Sequence, residues 1–312
     1  MTNRLTPLEA RRPAFETHQS FQQFDLAERV SPTEAMKRTG LDTPVTKTPI
    51  YNNLGEKIEG KAETRRDGNH LGIVGEKTYH VIPWKDSLLP YTEALTLETP
   101  FSVQAAGKLR GGAQELMIMG WPEELLVHEE RFTGSMWLGN SHDGSSAIWW
   151  SLEYTRFFCT NQVPKVARMA QLRFRHTLNW AMALEEARRA LGISLAYNEV
   201  FAAEMDRQMK TPFTKKQYIQ FVQKIAPLDD EKGKRKTGRG LTMAQNTQES
   251  LLASLATEDL ANHKNTLFAA EQAVSAYYDW GYSSDRTRAE RNLSGATDRV
   301  KTNALKVLRT FA

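Results

Sequence analysis

The sequence predicts an α+β protein: an antiparallel β-sheet with hairpins, followed by a long basic helix and a helical C-terminal part. Two observations support this class. Between residues 46 and 160, short strand-like runs alternate with turn signals such as Asp67-Gly68, Gly111-Gly112 and Asp143-Gly144. After Pro164, apolar residues recur instead at intervals of three or four, which is the period of an amphipathic helix.

The first 45 residues are predicted to form an N-terminal arm that packs late or stays partly mobile. They mix proline, threonine, glutamine and charged residues, and few apolar positions follow a regular period. One short helix is expected within the arm, because Ser31 can cap a helix and Pro32 suits its first turn.

The clearest strand starts at Ile148, after which apolar residues alternate with polar ones. The run Met136-Trp137-Leu138 supplies a partner strand, so Asp143-Gly144 is predicted to be a two-residue hairpin turn. The side chains of Asn140, Ser141 and His142 are expected to stabilise this turn through hydrogen bonds to the backbone.

A catalytic interpretation of the same turn stays open. Distant carboxylates and imidazoles can meet in a fold and hold a metal ion for hydrolysis. The alternative is therefore a metal-dependent nuclease built from Glu129, Glu130, His142 and Asp143. The sequence contains neither a zinc-pair spacing nor a nucleophile elbow, and no metal is predicted.

Downstream of Pro164, the apolar period predicts one helix of about seven turns that ends at Gly192. A polar row at steps of three and four follows one face of this helix: Arg168, Gln171, Arg175 and Asn179. Further helices are expected over residues 196–210, 215–225 and 247–278.

The chain is thereby divided into four parts. Residues 1–45 are the arm, and residues 46–228 are a core of β-sheet plus helix. Residues 229–245, rich in charge and glycine, are a flexible basic loop, and residues 246–312 are a helical C-terminal segment.

Basic residues are concentrated in two segments, although the net charge of the 312-residue chain is only +4. Residues 156–189 contain seven basic and two acidic residues, and residues 286–309 again contain seven and two. Such clusters favour a polyanionic partner, with nucleic acid first, because they release phosphate counterions on binding.

Several function classes fit poorly. Residues 233–240 resemble a phosphate-binding loop, but Arg239-Gly240 stands where lysine and a hydroxyl residue are needed, so no nucleotide cofactor is predicted. The single cysteine cannot form an internal disulfide. No apolar run approaches 18 residues, so the protein is expected to be cytoplasmic and not inserted in a membrane.

Single-stranded nucleic acid fits the aromatic and basic residues better, since unpaired bases stack on aromatic and guanidinium planes. Trp149 is the candidate stacking residue. The candidate phosphate contacts are Arg156, Arg168, Arg173, Arg175, Lys234, Arg235, Lys236 and Arg239.

Several short pieces of the sequence carry a family resemblance. They are Ala106-Gly107-Lys108-Leu109-Arg110-Gly111-Gly112, Asn140-Ser141-His142-Asp143-Gly144-Ser145, Cys159-Thr160-Asn161-Gln162, Arg175-His176-Thr177 and Tyr277-Tyr278-Asp279-Trp280, with Arg288, Gly295 and Lys301. Together they resemble domain-of-unknown-function family 932, a family of phage and plasmid-like proteins. The resemblance implies a phage or mobile-element origin in a bacterial host cell and no established enzyme activity.

A hairpin sheet followed by a long basic helix is also similar to the core of single-strand annealing recombinases of the Rad-fifty-two and phage Redβ kind. That similarity implies rings or filaments of identical subunits, no nucleotide cofactor and annealing of single-stranded DNA. Two other hypotheses stay open: the metal-dependent nuclease, and a phage interaction or structural protein whose basic segments bind an acidic host partner.

Overall fold

Two antiparallel sheets organise the protein. The computed structural model describes residues 11–156, 162–163, 171–176, 198–257, 261–282, 285–294 and 296–312. The α+β class predicted from the sequence is confirmed. The strands are β1 (Phe21–Gln23), β2 (Thr46–Tyr51), β3 (Lys57–Arg66), β4 (Asn69–Gly75), β5 (Ser102–Leu109), β6 (Gln114–Val127), β7 (Glu130–Ser141), β8 (Ile148–Arg156), β9 (Gln162–Val163) and β10 (Gln171–Phe174).

Helices surround these sheets and make up the C-terminal part. They are α1 (Ala14–Thr17), α2 (Pro32–Thr39), α3 (Leu88–Glu98), α4 (residues 198–210), α5 (Lys215–Ile225), α6 (Gly238–Thr257), α7 (Leu267–Ala276), α8 (Asp285–Leu293) and α9 (Ala296–Leu308). A π-helical turn, Tyr277–Gly281, continues α7. Within the described ranges, no helix is both long and apolar enough to cross a membrane.

Sheet A runs in the order β1-β5-β6-β7-β8-β10, and β9 also pairs with β8. Its apolar face carries Met117, Met136 and Trp150, which pack with residues of α2, α3 and α4 in the main core. The opposite face of sheet A carries Ser135 and Ser151 among others, and we call it the polar face. α1 and α8 partly cover this face. Sheet B is the smaller sheet, β2-β3-β4.

A second hydrophobic cluster forms among the C-terminal helices. Phe221 of α5, Leu251 of α6, Ala273 of α7 and Leu305 of α9 belong to it. α7 joins the two clusters, because Phe268 packs in the main core. The expected boundary near residue 228 does not match this grouping, since α5 packs with the helices that follow it.

Residues 11–45 of the predicted N-terminal arm pack against the rest of the fold. β1 pairs with β5 at the edge of sheet A, and Met36 of α2 is buried in the main core. The cap is confirmed: the hydroxyl of Ser31 accepts the Glu34 N–H at 3.2 Å, and Pro32 starts α2. Burial of the apolar face of α2 holds a segment whose composition alone favours mobility.

The predicted hairpin is confirmed, because β7 pairs with β8 in a register that places Gly139 opposite Trp149. The two-residue turn is wrong, since residues 142–147 form a six-residue connection. Gly144 has φ +73°, and the Asp143 carboxylate accepts the Ser145 N–H at 2.9 Å. A two-residue turn with both φ values positive occurs instead at Asp67-Gly68, between β3 and β4.

The helix predicted after Pro164 is wrong over Gln171–Phe174, which forms β10 and pairs with β8. The four-residue stretch fits a helical period as well as a strand, and pairing with β8 decides in favour of the strand. Residues 164–170 and 177–192 of that predicted helix, with Arg168 and Asn179, lie outside the described residues. The flexible loop predicted over 229–245 is also wrong from Gly238 onward, where α6 begins.

A close approach between the sheets generates a stability prediction. A Cβ atom at Gly72 would lie 2.6 Å from the Cα atom of Asp143, so Gly72→Ala must push β4 away from the connection 142–147. We expect a loss of about 1–3 kcal/mol in the free energy of unfolding, measured by urea denaturation. Gly240→Ala is the control, because its Cβ has open space in α6 and should stabilise slightly. Equal effects of the two substitutions would contradict the close approach.

Candidate functional site

A buried carboxylate joins the two sheets. Glu115 of β6 accepts a hydrogen bond from the Arg66 guanidinium at the end of β3, and its other oxygen lies 2.9 Å from Nε2 of His142. Arg66 also donates to the carbonyl of Gly112 at 3.2 Å. The side chains of Arg66, Glu115 and His142 are at most 5% exposed. We call this arrangement the junction.

The neighbouring groups of the junction are also paired. Tyr79 donates its hydroxyl to the carbonyl of Ser141 at 2.6 Å, and burial raises its pKa so that the hydroxyl stays a donor. The Tyr79 ring stacks on His176 with 4.7 Å between ring centres. The backbone N–H of His142 donates to the carbonyl of Ala113 at 2.7 Å.

Two of the predicted turn residues act differently from the expectation. His142 pairs with Glu115 in the junction, and the Asn140 amide donates to the carbonyl of Ile82 at 3.0 Å. Asp143 and Ser141, which were also expected at the turn, do hold the connection 142–147: the Asp143 carboxylate accepts the Ser145 N–H at 2.9 Å, and the Ser141 hydroxyl accepts the Ser146 N–H at 3.1 Å.

His176 is buried with an unpartnered nitrogen. Its Nδ1 lies 3.2 Å from the carbonyl of His80, but its Nε2 has no hydrogen-bond partner. Burial lowers the pKa of His176 to about 4; His142 acts in the same direction, while the His80 carbonyl and Asp143 oppose it. The ring is therefore neutral at physiological pH.

The four residues of the nuclease hypothesis do not converge. Glu130 starts β7 and His142 follows its end, so about 40 Å of extended strand separates them at roughly 3.3 Å per residue. Glu129 instead accepts a hydrogen bond from Asn262, on the Glu130 side of the strand. Over the described residues, no group of three or more His, Cys, Asp or Glu side chains is placed to hold a metal ion.

Arg156 is not placed to contact phosphate, contrary to the expectation. It is 1% exposed and donates to both carboxylate oxygens of Glu130, at 2.6 and 2.8 Å. Its guanidinium also lies 5.9 Å from the centre of the Phe268 ring. A buried arginine on the apolar face needs a carboxylate partner of this kind. The charge of Arg156 is therefore neutralised by Glu130 within the fold.

Three candidate residues do come together at the edge of sheet A. Arg173 of β10 lies directly opposite Trp149 of β8, and Arg175 follows two residues later. Both arginines are exposed, while Trp149 is half-buried with its indole against Gly139. We call Trp149, Arg173 and Arg175 the edge surface. Arg168 lies outside the described residues.

The basic loop before α6 forms a separate group. Contacts within the loop hold its backbone. Asp229 and Arg235 form an isolated antiparallel β-bridge, and the Asp230 carboxylate accepts the N–H groups of Lys232 and Lys234 at 2.9 Å. Three of the four candidate cations are exposed and Lys236 is half-buried; they are Lys234, Arg235, Lys236 and Arg239. Arg235 also pairs with Asp229 at 3.6 Å.

A cavity on the polar face of sheet A was not predicted from the sequence. The π-helical turn places Asp279 and Trp280 on its wall, and Lys301 binds Asp279 in a buried pair at 2.9 Å. The guanidinium of Arg288 lies 5.7 Å from the centre of the Trp280 ring. Asp279, Trp280, Arg288 and Lys301 were among the residues that carried the family resemblance. That resemblance was the sequence signal that pointed to them.

Among the described residues that carry the resemblance, His142 lies at the junction, and Asp279 and Trp280 line this cavity. The family model described as a domain of unknown function, DUF932, matches residues 70–304. The chain belongs to the DUF932 family. The DUF932 match starts in β4 and ends in α9, so it includes His142, His176 and Trp280. Comparison with curated proteins and with solved structures gave no match.

The neutral His176 of this DUF932 protein makes stability depend on pH. Its folded pKa of about 4 lies below the ordinary value of 6.5, so the unfolded chain binds the proton more readily. Stability from this group is complete above pH 6.5 and is lost as the pH falls toward 4. We expect about 2 kcal/mol less unfolding free energy at pH 5 than at pH 7.

His176→Phe tests this prediction, because it keeps a ring against Tyr79 and removes the titration. The variant should lose about 2 kcal/mol of the difference between pH 5 and pH 7, measured by denaturant unfolding. His18→Phe, at a half-exposed imidazole, is the control and should keep the full difference. An unchanged pH dependence in His176→Phe would contradict the assignment.

Proposed function

We propose that the protein binds single-stranded DNA and promotes ATP-independent strand annealing. The edge surface is the observation that supports this best. Trp149 and Arg173 face each other across two neighbouring strands, and β10 is the last strand of the path along sheet A. An aromatic ring beside exposed guanidinium groups suits an unpaired base and its phosphate, and stacking contributes about 1–3 kcal/mol per base.

Two groups of exposed cations serve this proposal. Arg173 and Arg175 belong to the edge surface, and the loop before α6 supplies the other group. Arg156 is not included, since Glu130 holds it inside the protein. Annealing and the assembly into rings or filaments are part of the same proposal, and they rest on the hairpin sheet that annealing recombinases also have; the long basic helix, the other part of that similarity, is replaced by β10 over Gln171–Phe174.

Salt dependence tests the edge surface. The double variant Arg173→Gln with Arg175→Gln should lower the slope of log affinity against log salt by about 1.4, because each lost single-strand phosphate contact contributes about 0.7. The measurement is fluorescence anisotropy of a labelled oligonucleotide between 50 and 200 mM salt. Trp149→Leu should weaken binding without changing the slope.

The control for this experiment is Arg38→Gln with Arg207→Gln, two arginines in surface ion pairs on α2 and α4. It removes the same charge elsewhere and should leave the slope unchanged. A triple change of Lys234, Arg235 and Arg239 to Gln measures the loop separately. If the loop variant alone lowers the slope, the edge surface is not the DNA site.

Annealing requires a further measurement. Complementary strands carrying a dye and a quencher should pair faster with the protein than without it, in the absence of ATP. Particle images should show rings or filaments that depend on the oligonucleotide. If the protein binds DNA tightly but complementary strands do not pair faster, it is a DNA-binding protein and annealing is excluded. If it binds only an acidic protein, the interaction hypothesis is favoured.

A further inference from the structure

A β-hairpin of sheet B projects from the protein. β3 pairs with β4 only as far as Lys61, which lies opposite Gly75. Beyond that point the hairpin of β2 and β3 pairs, within the described residues, only with itself, and every residue over 53–61 is exposed. We call residues 49–61 the ribbon. An isolated two-stranded hairpin is marginally stable in water, so contact with a further surface would stabilise the ribbon.

Apolar side chains are exposed on the ribbon. Leu54 is 77% exposed at the tip, Tyr51 is 60% exposed and Ile58 is 41% exposed. The Asn52 side chain accepts the N–H groups of Leu54 and Glu56 at 2.9 and 3.0 Å, which holds Leu54 at the tip. Asparagine and glycine beside it are usual in a turn, whereas a leucine is not. Exposed apolar groups that cluster in this way are typical of an interaction site.

A pocket among the C-terminal helices has an apolar interior that suits this tip. Its volume is about 240 Å³, and its wall includes Phe213, Tyr218, Leu255 and Ala270. We call it the helix pocket. A dry apolar cavity of about 150 Å³ accepts benzene, so the helix pocket has room for a leucine side chain.

Positive charge surrounds the helix pocket. Lys215 and Lys264 line it, both are exposed, and neither forms an ion pair within the described ranges. α5 and α7 also begin here, after the capping residues Thr214 and Thr266, and the N-terminus of a helix carries a partial positive charge. Among the described residues that line the pocket, none is acidic. An apolar group accompanied by carboxylates is therefore the expected occupant.

The ribbon carries carboxylates beside its apolar tip. Glu56 follows the tip, and the side chain of Glu59 is 82% exposed. Lys57 lies between them, but its ammonium group binds Glu76 at 2.6 Å and is farther from Glu59, at 3.7 Å. The other lysine, Lys61, lies at the base of the ribbon. The tip consequently presents mainly negative charge, which is complementary to the helix pocket.

We propose that the ribbon of one molecule binds in the helix pocket of a second copy of the chain. Leu54 enters the pocket. Glu56 and Glu59 pair with Lys215 and Lys264. The two surfaces are different parts of the protein, so the contact is head-to-tail and repeats from copy to copy, which builds a ring or a filament.

The inference deepens the assembly that the proposed function includes, and it rests on the proposed function for the role of DNA. The contact itself needs no DNA at high protein concentration. An oligonucleotide that binds several copies raises their effective concentration, so assembly at low protein concentration should depend on the oligonucleotide.

The test is the mass of the full-length protein in solution without DNA, measured by sedimentation velocity over a range of protein concentrations. The parent protein should associate beyond the mass of one chain as its concentration rises. The ribbon variant is Leu54→Glu, and the pocket variant is Lys215→Glu with Lys264→Glu. Each should associate at least about tenfold more weakly than the parent protein, because each removes a central part of the contact.

An equimolar mixture of the two variants identifies a head-to-tail contact. The pocket variant keeps its ribbon and the ribbon variant keeps its pocket, so one contact forms and no third copy can add. We expect dimers with one chain of each kind at concentrations where each variant alone is monomeric. Misfolded variants cannot give this result, because the dimer requires both partners to be folded.

Two further variants serve as controls. Leu126→Glu makes the same change at a leucine that is 63% exposed in β6, and it should leave association unchanged. Adding Glu56→Lys and Glu59→Lys to the pocket variant reverses the charges on both sides and should restore association. A parent protein that is monomeric at all concentrations measured would overturn the proposal. A pocket variant that associates like the parent would also overturn it and would indicate that ribbons pair with each other.

Oligonucleotide binding separates this inference from the proposed function. Association without oligonucleotide binding would support the contact and contradict the proposed function, and oligonucleotide binding by a monomeric parent protein would do the reverse. If the pocket variant associates normally but binds the oligonucleotide less tightly, the helix pocket is a DNA contact and the proposal is overturned.

Discussion

The carboxylate of Glu115 holds the two sheets together. Taking a carboxylate and a guanidinium out of water costs several kcal/mol per ion, and this cost is offset only where hydrogen bonds satisfy both groups. Arg66 reaches Glu115 from sheet B, while His142 reaches it from the connection after β7. Because all three side chains must meet, the position of sheet B and the path of residues 142–147 are fixed together. The cluster that first suggested catalysis is thus mainly a support for this packing.

Other buried charges follow the same rule and change what the basic segments mean. Arg156 binds Glu130, Lys301 binds Asp279, and Arg309 binds the buried Glu271 at 2.6 Å. Two of these cations belong to the segment 286–309, whose charge favoured a polyanion. They neutralise carboxylates within the fold, so that segment supports nucleic-acid binding less than its composition suggests. Among the candidate phosphate contacts that the structure describes, the exposed cations lie at the edge surface and before α6.

The parts of the fold that depend on neighbours in sequence could be predicted, and those that depend on distant residues could not. The Ser31 cap and the β7–β8 hairpin follow from local rules of backbone hydrogen bonding. β10 is too short for its apolar period to distinguish a strand from a helix, and only its pairing with β8 decides. In the candidate site, the pairing of Trp149 with Arg173 could not be predicted, because it depends on the pairing of β10 with β8. The cavity could not be predicted either, because its lining residues Arg11 and Trp280 come from opposite ends of the chain and meet only in the folded protein.

The π-helical turn explains how one helix serves both a core and a cavity. The N–H of Tyr282 donates to the carbonyl of Tyr277 at 2.8 Å, five residues back, so this turn contains one residue more than an α-helical turn. Such an insertion rotates the following side chains by about 100° relative to a continuous helix. Tyr277 and Tyr278 belong to the C-terminal cluster, while Asp279 and Trp280 line the cavity. Since the preceding α7 joins both hydrophobic clusters, the cavity wall is positioned by the core of the protein and not by a surface loop.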